Sequence, residues 1–560
     1  MHDLVIRNAL LHDGTGAAAV RGDLAVDGER IVAVGAGAGA ARVEVDATGL
    51  ALMPGIIDGH THYDAQLTWD AFADPSPQMG VTTAVIGNCG FTIAPCRPAD
   101  RDLTMRNLTQ VEGMSLDALR AGIRWDFESI PEYLDMLERT GLGLNVAAFA
   151  GHSAIRTYVL GDQASTRTAT DAEIAQMAQL VREAMAAGAV GFATSTNEPH
   201  NGEGGIPMPS RLADDREMLA LTRAMADSGR GLFMLTKGSK TSVPFLEEVA
   251  AHCGRPVLIA AMFHSNTAPD HVFDEIARMD AARARGHALV AQVSPCPLTM
   301  DFTLRSPYLF ESVDAWRPAM QAYGGDGLAA VYADPGFRAR VKADFERVRG
   351  ASLFNSEWHL VHVVETRRPE HAGYEGRPLD ALAARDGRHP FDWMLDLALS
   401  EDLDTVFTAQ LRNNDAQAVG RLVADPDTHV SLSDAGAHLT FMCDAAFGLH
   451  VLGYWARDQR ALSLPEAVRK LTGHPARLFG IPDRGVLRPG AFADLLLFDP
   501  ATVGRGRNVR RYDLPAGGSR LRGEALGVHG VWVNGRQVVD AGGLCADAPR
   551  AGRLLRSFVA

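Results

Sequence analysis

Between residues 51 and 438 one unit recurs eight times: a short, almost uninterrupted apolar run, then a polar or glycine-rich stretch leading toward helical text. The runs are ALMPGIIDGHTH (51–62), VTTAVIGNCG (81–90), LNVAAFAGHS (144–153), GAVGFATST (188–196), GLFMLTKGS (231–239), PVLIAAMFHS (256–265), ALVAQVSPCP (288–297) and HVSLSDAGAH (429–438). Among the intervening segments, 171–188 and 215–229 are apolar at i, i+3, i+4 and i+7, the spacing of one helix face, and the first ends in a glycine, a common helix stop. Strands that are apolar on both faces belong to sheets covered on both sides. Eight successive β-then-α units therefore predict an α/β fold, a parallel sheet closed into a (β/α)8 TIM barrel over residues 51–484. The stretch 298–428, which carries helical text over Asp334–Phe345, is expected to be a large insertion.

Both ends of the chain read differently. DLVIRNALLHDG, GDLAVDGERIVAVG and ARVEVDATG near the start are short β-branched runs broken by Gly, Asp and Asn; GAFADLLLFDP and GVHGVWVNGRQVVDAGG near the end alternate apolar and polar residues around an Asn-Gly turn. Residues 1–50 plus 485–560 are thus predicted to build one small β-sandwich domain. A length of 560 residues, too great for one ordinary core, agrees with a large domain beside a smaller one.

Composition narrows the functional classes. An apolar share of 46% with 22% charged residues excludes disorder, and a net charge of −14 argues against nucleic acid, whose phosphates need a concentrated positive surface. Six cysteines, at 89, 96, 253, 296, 443 and 545, give neither a disulfide framework nor a CxxC pair. The first residues lack a secretory pattern, and no stretch reaches the roughly 18 to 20 apolar residues of a membrane span. The expectation is a soluble cytoplasmic protein acting on a small molecule, without nucleic-acid or membrane partners. A homo-oligomer is compatible with such a fold, though no interface signal stands out.

In a barrel of this kind, residues at the C-terminal strand ends face one shared pocket. Those ends carry His60 and His62, Cys89, His152, Thr194–Asn197, Thr236-Lys237, His264 and Asp434. His60-Thr61-His62 is the strongest element, because residues i and i+2 of a strand point the same way and two imidazoles can then bind one metal ion. Asp434 can ligate a metal and take a proton from water, or cap a helix N-terminus; both roles can hold together. His264 is either a third imidazole or a hydrogen-bonded core histidine, and Cys89 either a thiolate ligand or a small buried apolar residue. His152 is expected to line the pocket without binding metal. His438 either joins the pocket or lies at the surface. Lys237 sits awkwardly beside a cation; binding of a substrate carboxylate ranks ahead of carbamylation or of pointing to solvent.

Five stretches carry a resemblance: MPGIIDGHTHYD (53–64), IGNCGF (86–91), AGHSAIR (150–156), LSDAGAH (432–438) and the tail 471–500. Together they resemble the amidohydrolase superfamily, and within it the N-acyl-D-amino-acid deacylase (D-aminoacylase) branch. The resemblance implies a metal-dependent barrel beside a β-sandwich, with one or two zinc ions per chain. It implies His60, His62, Cys89, His264 and Asp434 as metal ligands; Lys237, Arg156 and His438 are expected as substrate contacts. The strand-five histidine of that family is missing, since LTKG places Thr236 or Lys237 there. The activity expected is hydrolysis of a C–N amide bond, in an N-acyl-D-amino acid or related N-acyl compound. Zinc would activate water, Asp434 would act as general base and then acid, and His152 would support the oxyanion. Two alternatives stand beside it. A cyclic-amide hydrolase of hydantoinase or dihydroorotase type uses a carbamylated strand-four lysine, which GAVGFATST lacks; a non-catalytic scaffold of the same fold loses its metal ligands.

Overall fold

The computed structural model describes residues 1–347 and 353–559. Eight parallel strands form its centre: β1 (Ile56–Asp58), β2 (Val81–Ile86), β3 (Asn145–Gly151), β4 (Gly191–Ser195), β5 (Leu232–Thr236), β6 (Val257–Ala260), β7 (Leu289–Val293) and β8 (His429–Val430). They lie side by side in chain order. Beyond their ends the ring is drawn together by a parallel bridge between Thr61 and Ala435, in which the His62 N–H donates to the Ala435 carbonyl at 2.7 Å. Nearly every residue of these strands is buried, which is why the sequence shows continuous apolar runs there. Helices cover the outside. The helix Asp171–Ala187 begins in a capping box between Thr170 and Glu173 and stops at Gly188, whose φ of 106° suits a residue without a side chain.

The chain termini meet in one nine-stranded sheet, in which Leu495–Phe498 pairs antiparallel with Ala51–Pro54 and the latter pairs parallel with His2–Leu11. The first apolar run is therefore shared: residues 51–54 belong to this sheet, and the barrel begins only at Ile56. The sheet is not insulated from the barrel, because Val531, Val533, Val538 and Val539 pack in the same core as the barrel strands. Past the sheet, Gly552 bridges to Leu142 just before β3 and Leu554 to Val146 within it.

The insertion after β7 has a core of its own. A three-stranded antiparallel sheet (Leu298–Phe302, Val406–Arg412 and Val361–Glu365) is backed by helices that include Pro335–Arg347 and Pro390–Ser400. Trp316, Tyr332, Phe337, Phe345 and Phe391 fill the space between them. Residues 348–352 of the expected insertion lie outside the described residues. Among the described residues, no helix is long and apolar enough to cross a membrane.

Candidate metal centre

At the mouth of the barrel a cavity open to solvent has His60, His62, Cys89 and Asp434 in its wall. The strand alternation that pairs the histidines is visible: Thr61 turns away and its hydroxyl donates to the Val85 carbonyl at 2.8 Å, while the two imidazoles stand with ring centres 5.3 Å apart. Cys89 reaches them from the turn after β2, with φ at 56°. Its Sγ lies 3.6 Å from His60 Nε2 and 4.0 Å from His62 Nε2. Asp434 Oδ1 lies 3.2 and 3.6 Å from the same two nitrogens. The ligand atoms of His60, His62 and Cys89 all fall within 4.8 Å of one another.

Backbone conformation makes this possible at a cost. Leu432 (φ 70°), Asp434 (φ 47°) and His438 (φ 56°) all occupy the left-handed region, which non-glycine residues enter only when their surroundings hold them there. Gly436, φ 95°, lies so close to the His62 carbonyl that an added Cβ would come within 2.7 Å of that oxygen. The segment 432–438 is thus folded tightly onto the histidine pair.

The far sides of the two imidazoles are engaged. His60 Nδ1 is 2.7 Å from Gln292 Oε1 on β7, and His62 Nδ1 is 3.3 Å from Glu112 Oε1, within ion-pair range but off the line of a hydrogen bond. Both Nε2 atoms are thereby turned toward the thiol. Burial disfavours the charged forms of both imidazoles, but Cys89 and then Asp434 outweigh it at His60, and Glu112 first, with Asp434 and Cys89, outweighs it at His62, so both pKa values rise. Burial likewise works against the Cys89 thiolate, and the imidazoles overcome it and lower its pKa; Asp434 is held well below the usual carboxylate range in the same way. Two imidazoles, a thiol prone to ionise and an ionised carboxylate around one point are a donor set for a divalent cation, with thiolate and imidazole favouring zinc. The carboxyl of Asp58 supports the far wall: it accepts from the Ser431 hydroxyl at 3.2 Å and the Ser433 hydroxyl at 2.5 Å, and burial raises its pKa to about 6.

Other residues expected at the site are elsewhere. His264 does not line the cavity. Beyond β6 the chain turns through Ala261, φ 64°, which puts Ala261 and Phe263 in the cavity wall and leaves the His264 ring beside Phe273. His152 and Arg156 are fully buried behind the strand ends: His152 Nδ1 is 2.7 Å from Thr194 Oγ1, its Nε2 is 2.7 Å from Glu217 Oε1, and Arg156 donates to the other Glu217 oxygen. A carboxylate from the helix Asp215–Ala226 has claimed both, so neither reaches the cavity. Lys237 pairs with Glu275 at 2.9 Å in an adjoining chamber that shares Asn197, Pro199, Ala261, Phe263, Leu298 and Leu353 with the metal cavity. His438 does line the cavity, its ring 5.5 Å from that of Tyr308; its Nδ1 has no partner, and burial lowers its pKa to about 4.

Thr236 ends β5 with its Oγ1 3.0 Å from Cys89 Sγ. At the strand-five position, then, a hydroxyl faces the thiol. Glu112, Gln292 and His200 also belong to the site or its support, and sequence reasoning passed over them. Gln292 carried a signal, as the one polar residue inside the run ALVAQV; Glu112, at the end of an ordinary helical stretch, carried none. The imidazole of His200, 2.6 Å from the Ser195 hydroxyl, is kept neutral by burial, with His438 and His62 nearby adding to that effect.

Comparison with known proteins gives the site its context. The sequence profile described as "Amidohydrolase family" matches residues 43–539. The chain is 30% identical to an N-acyl-D-aspartate deacylase of Alcaligenes xylosoxydans xylosoxydans, across 99% of this chain and 95% of that protein. Its fold is similar to that of N-acyl-D-glutamate deacylase from Bordetella bronchiseptica, solved with zinc and a phosphonate mimic of the tetrahedral intermediate: TM-score 0.69 and 26% identity, over 99% and 100% of the two chains. It is similar also to D-aminoacylase in a study of that enzyme's binuclear metal centre, with TM-score 0.67 and 25% identity over the whole of both chains. The chain belongs to the amidohydrolase family, a hydrolase of C–N bonds other than peptide bonds.

Proposed function

We propose that this protein hydrolyses the amide of an N-acyl-D-amino acid or a related N-acyl compound, using a single zinc ion held by His60, His62 and Cys89 with Asp434 beside them. The observation that carries this is the meeting of both Nε2 atoms and the Cys89 thiol within 4.8 Å of one another, with an Asp434 oxygen 3.2 and 3.6 Å from the two nitrogens. A single ion is favoured because the fifth strand offers Thr236 and the segment after the sixth offers Ala261 and Phe263, none of which is a usual zinc ligand.

A divalent cation there supplies Lewis-acid polarisation of a carbonyl and lowers the pKa of water toward neutrality. The chain's own residues do the rest. Asp434, ionised at neutral pH and partly open to the cavity, accepts the proton lost by attacking water and delivers it to the departing nitrogen. His438, neutral and with an unpartnered Nδ1, takes the place in supporting the developing oxyanion that the enclosed His152 cannot fill. Phe91, Val111, Phe263, Leu298 and Met300 make an apolar wall for an acyl group and exclude water around the reacting carbon. A carboxylate on the amine half meets Lys237 across the rim shared with the adjoining chamber. The absence of a lysine from β4 tells against carbamylated-lysine chemistry, and an intact donor cluster tells against a scaffold.

The test is a panel of N-acetyl and longer N-acyl derivatives of D- and L-amino acids, assayed with metal-free and zinc-reconstituted protein. Zinc-dependent release of D-amino acids is the expected result. A reconstituted protein that cleaves none of them overturns the substrate reading.

A further inference from the structure

The two ligating histidines are supported unequally. Behind His60 stands a neutral amide, Gln292; behind His62 stands a carboxylate, Glu112. Glu112 is 4% exposed, its Oε2 has no hydrogen-bond partner, and its Oε1 faces His62 Nδ1 at 3.3 Å. Enclosing a carboxylate oxygen without a hydrogen-bond partner costs free energy, and the ring that this carboxylate faces is His62. His62 is also the residue whose Nε2 would meet a cation at the position proposed above.

We propose that Glu112 is a positioning residue that tightens the metal site through His62: a carboxylate 3.3 Å behind the ring favours the imidazole whose Nε2 is free to donate and makes that nitrogen a stronger donor. It stands outside the ligand set and acts on the cation only through the ring. Carboxylates placed behind ligating histidines alter metal affinity by roughly 10- to 100-fold. The site is thus graded, with His62 the stronger imidazole donor and His60, on its amide, the weaker. Glu112 ends the helix Arg101–Val111, and its backbone carbonyl accepts from the Leu439 N–H at 3.3 Å, so the same residue also ties the segment after Asp434 to the helix. This inference rests on the cation position proposed above.

The experiment is metal affinity rather than turnover. Metal-free full-length protein is titrated with Zn2+ against a chromophoric chelator, and with Co2+ while its visible spectrum is followed. Wild type is compared with Glu112→Gln, which keeps shape and removes charge, with Glu112→Asp, and with the reverse exchange Gln292→Glu. Circular dichroism and thermal unfolding of each metal-free variant check folding. We expect Glu112→Gln to weaken Zn2+ binding by about tenfold and to shift the Co2+ spectrum, Glu112→Asp to restore part of the affinity, and Gln292→Glu to tighten binding. A Glu112→Gln change below threefold overturns the inference; threefold or more in a folded variant supports it. Should wild type bind no cation at all, the metal reading itself fails instead, which is a different outcome.

Discussion

Two polar clusters sit at the strand ends of this barrel, built from overlapping residue types, and they finish differently. Around β1, β2 and β8, His60, His62 and Cys89 bring their donor atoms together in a cavity wall, with an Asp434 oxygen beside the two imidazoles. Around β3 and β4, His152, Arg156, Glu217 and Thr194 consume one another: both imidazole nitrogens and both carboxylate oxygens are engaged, and every member is buried. In the first cluster the donor atoms meet only one another and the Thr236 hydroxyl and stand in a cavity wall, open to a ligand; the second is sealed from that cavity and, Arg156 Nε apart, engaged with partners, so it serves the fold. Residue type and position at a strand end do not separate these cases. What separates them is whether a partner arrives from a distant helix, as Glu217 does.

Substitutions sharpen or break that contrast. The largest effect is expected at Asp434→Asn, which should lower kcat by about 10³-fold while the protein retains part of its zinc; steady-state kinetics with elemental analysis checks both, and unimpaired turnover removes Asp434 from the mechanism. In the closed cluster the penalty should fall on stability. Glu217→Ala leaves Arg156 buried without its carboxylate and should cost about 3–5 kcal/mol of unfolding free energy, read by denaturant titration, with kcat of the folded fraction unchanged. A fall in kcat at unchanged stability would instead place this cluster in the reaction. The same contrast has a pH signature. His152 and Arg156 hold the Glu217 pKa below its ordinary 4.5 against burial, which would raise it. Its stabilisation is therefore present above pH 4.5 and is lost as pH falls from there through the lowered folded value. Glu217→Gln should make the acid limb of stability against pH shallower; an identical limb contradicts the pairing. The smallest effect is expected at Thr236→Val, which removes the hydroxyl facing Cys89 and should change activity by only about threefold to tenfold.

Much of this architecture was legible because barrel strands are buried on both faces and their apolar runs stand out. The pairing of His60 with His62 was legible because strand alternation fixes it locally. The placement of Cys89 and Asp434 at neighbouring strand mouths followed from the (β/α)8 order together with the family resemblance. What was not legible depends on long-range partners or on local backbone turns. His264 follows an apolar run just as the others do, but the left-handed turn at Ala261 rotates it out of the cavity. His152 and Arg156 form part of a recognisable motif whose use is set by a carboxylate about sixty residues further along, within a helix that reads as ordinary surface text. The shared ownership of residues 51–62 was hidden for a simpler reason: both the terminal sheet and the barrel want buried apolar residues there.

The central claim is that one cation sits where His60 Nε2, His62 Nε2 and Cys89 Sγ converge. Crystals of the zinc-reconstituted protein, measured on both sides of the zinc absorption edge, test it directly. One anomalous peak per chain is expected, at about 2.0–2.1 Å from the two nitrogens and about 2.3 Å from the sulfur. No peak at that point, or full occupancy somewhere that excludes His60 and His62, would contradict it.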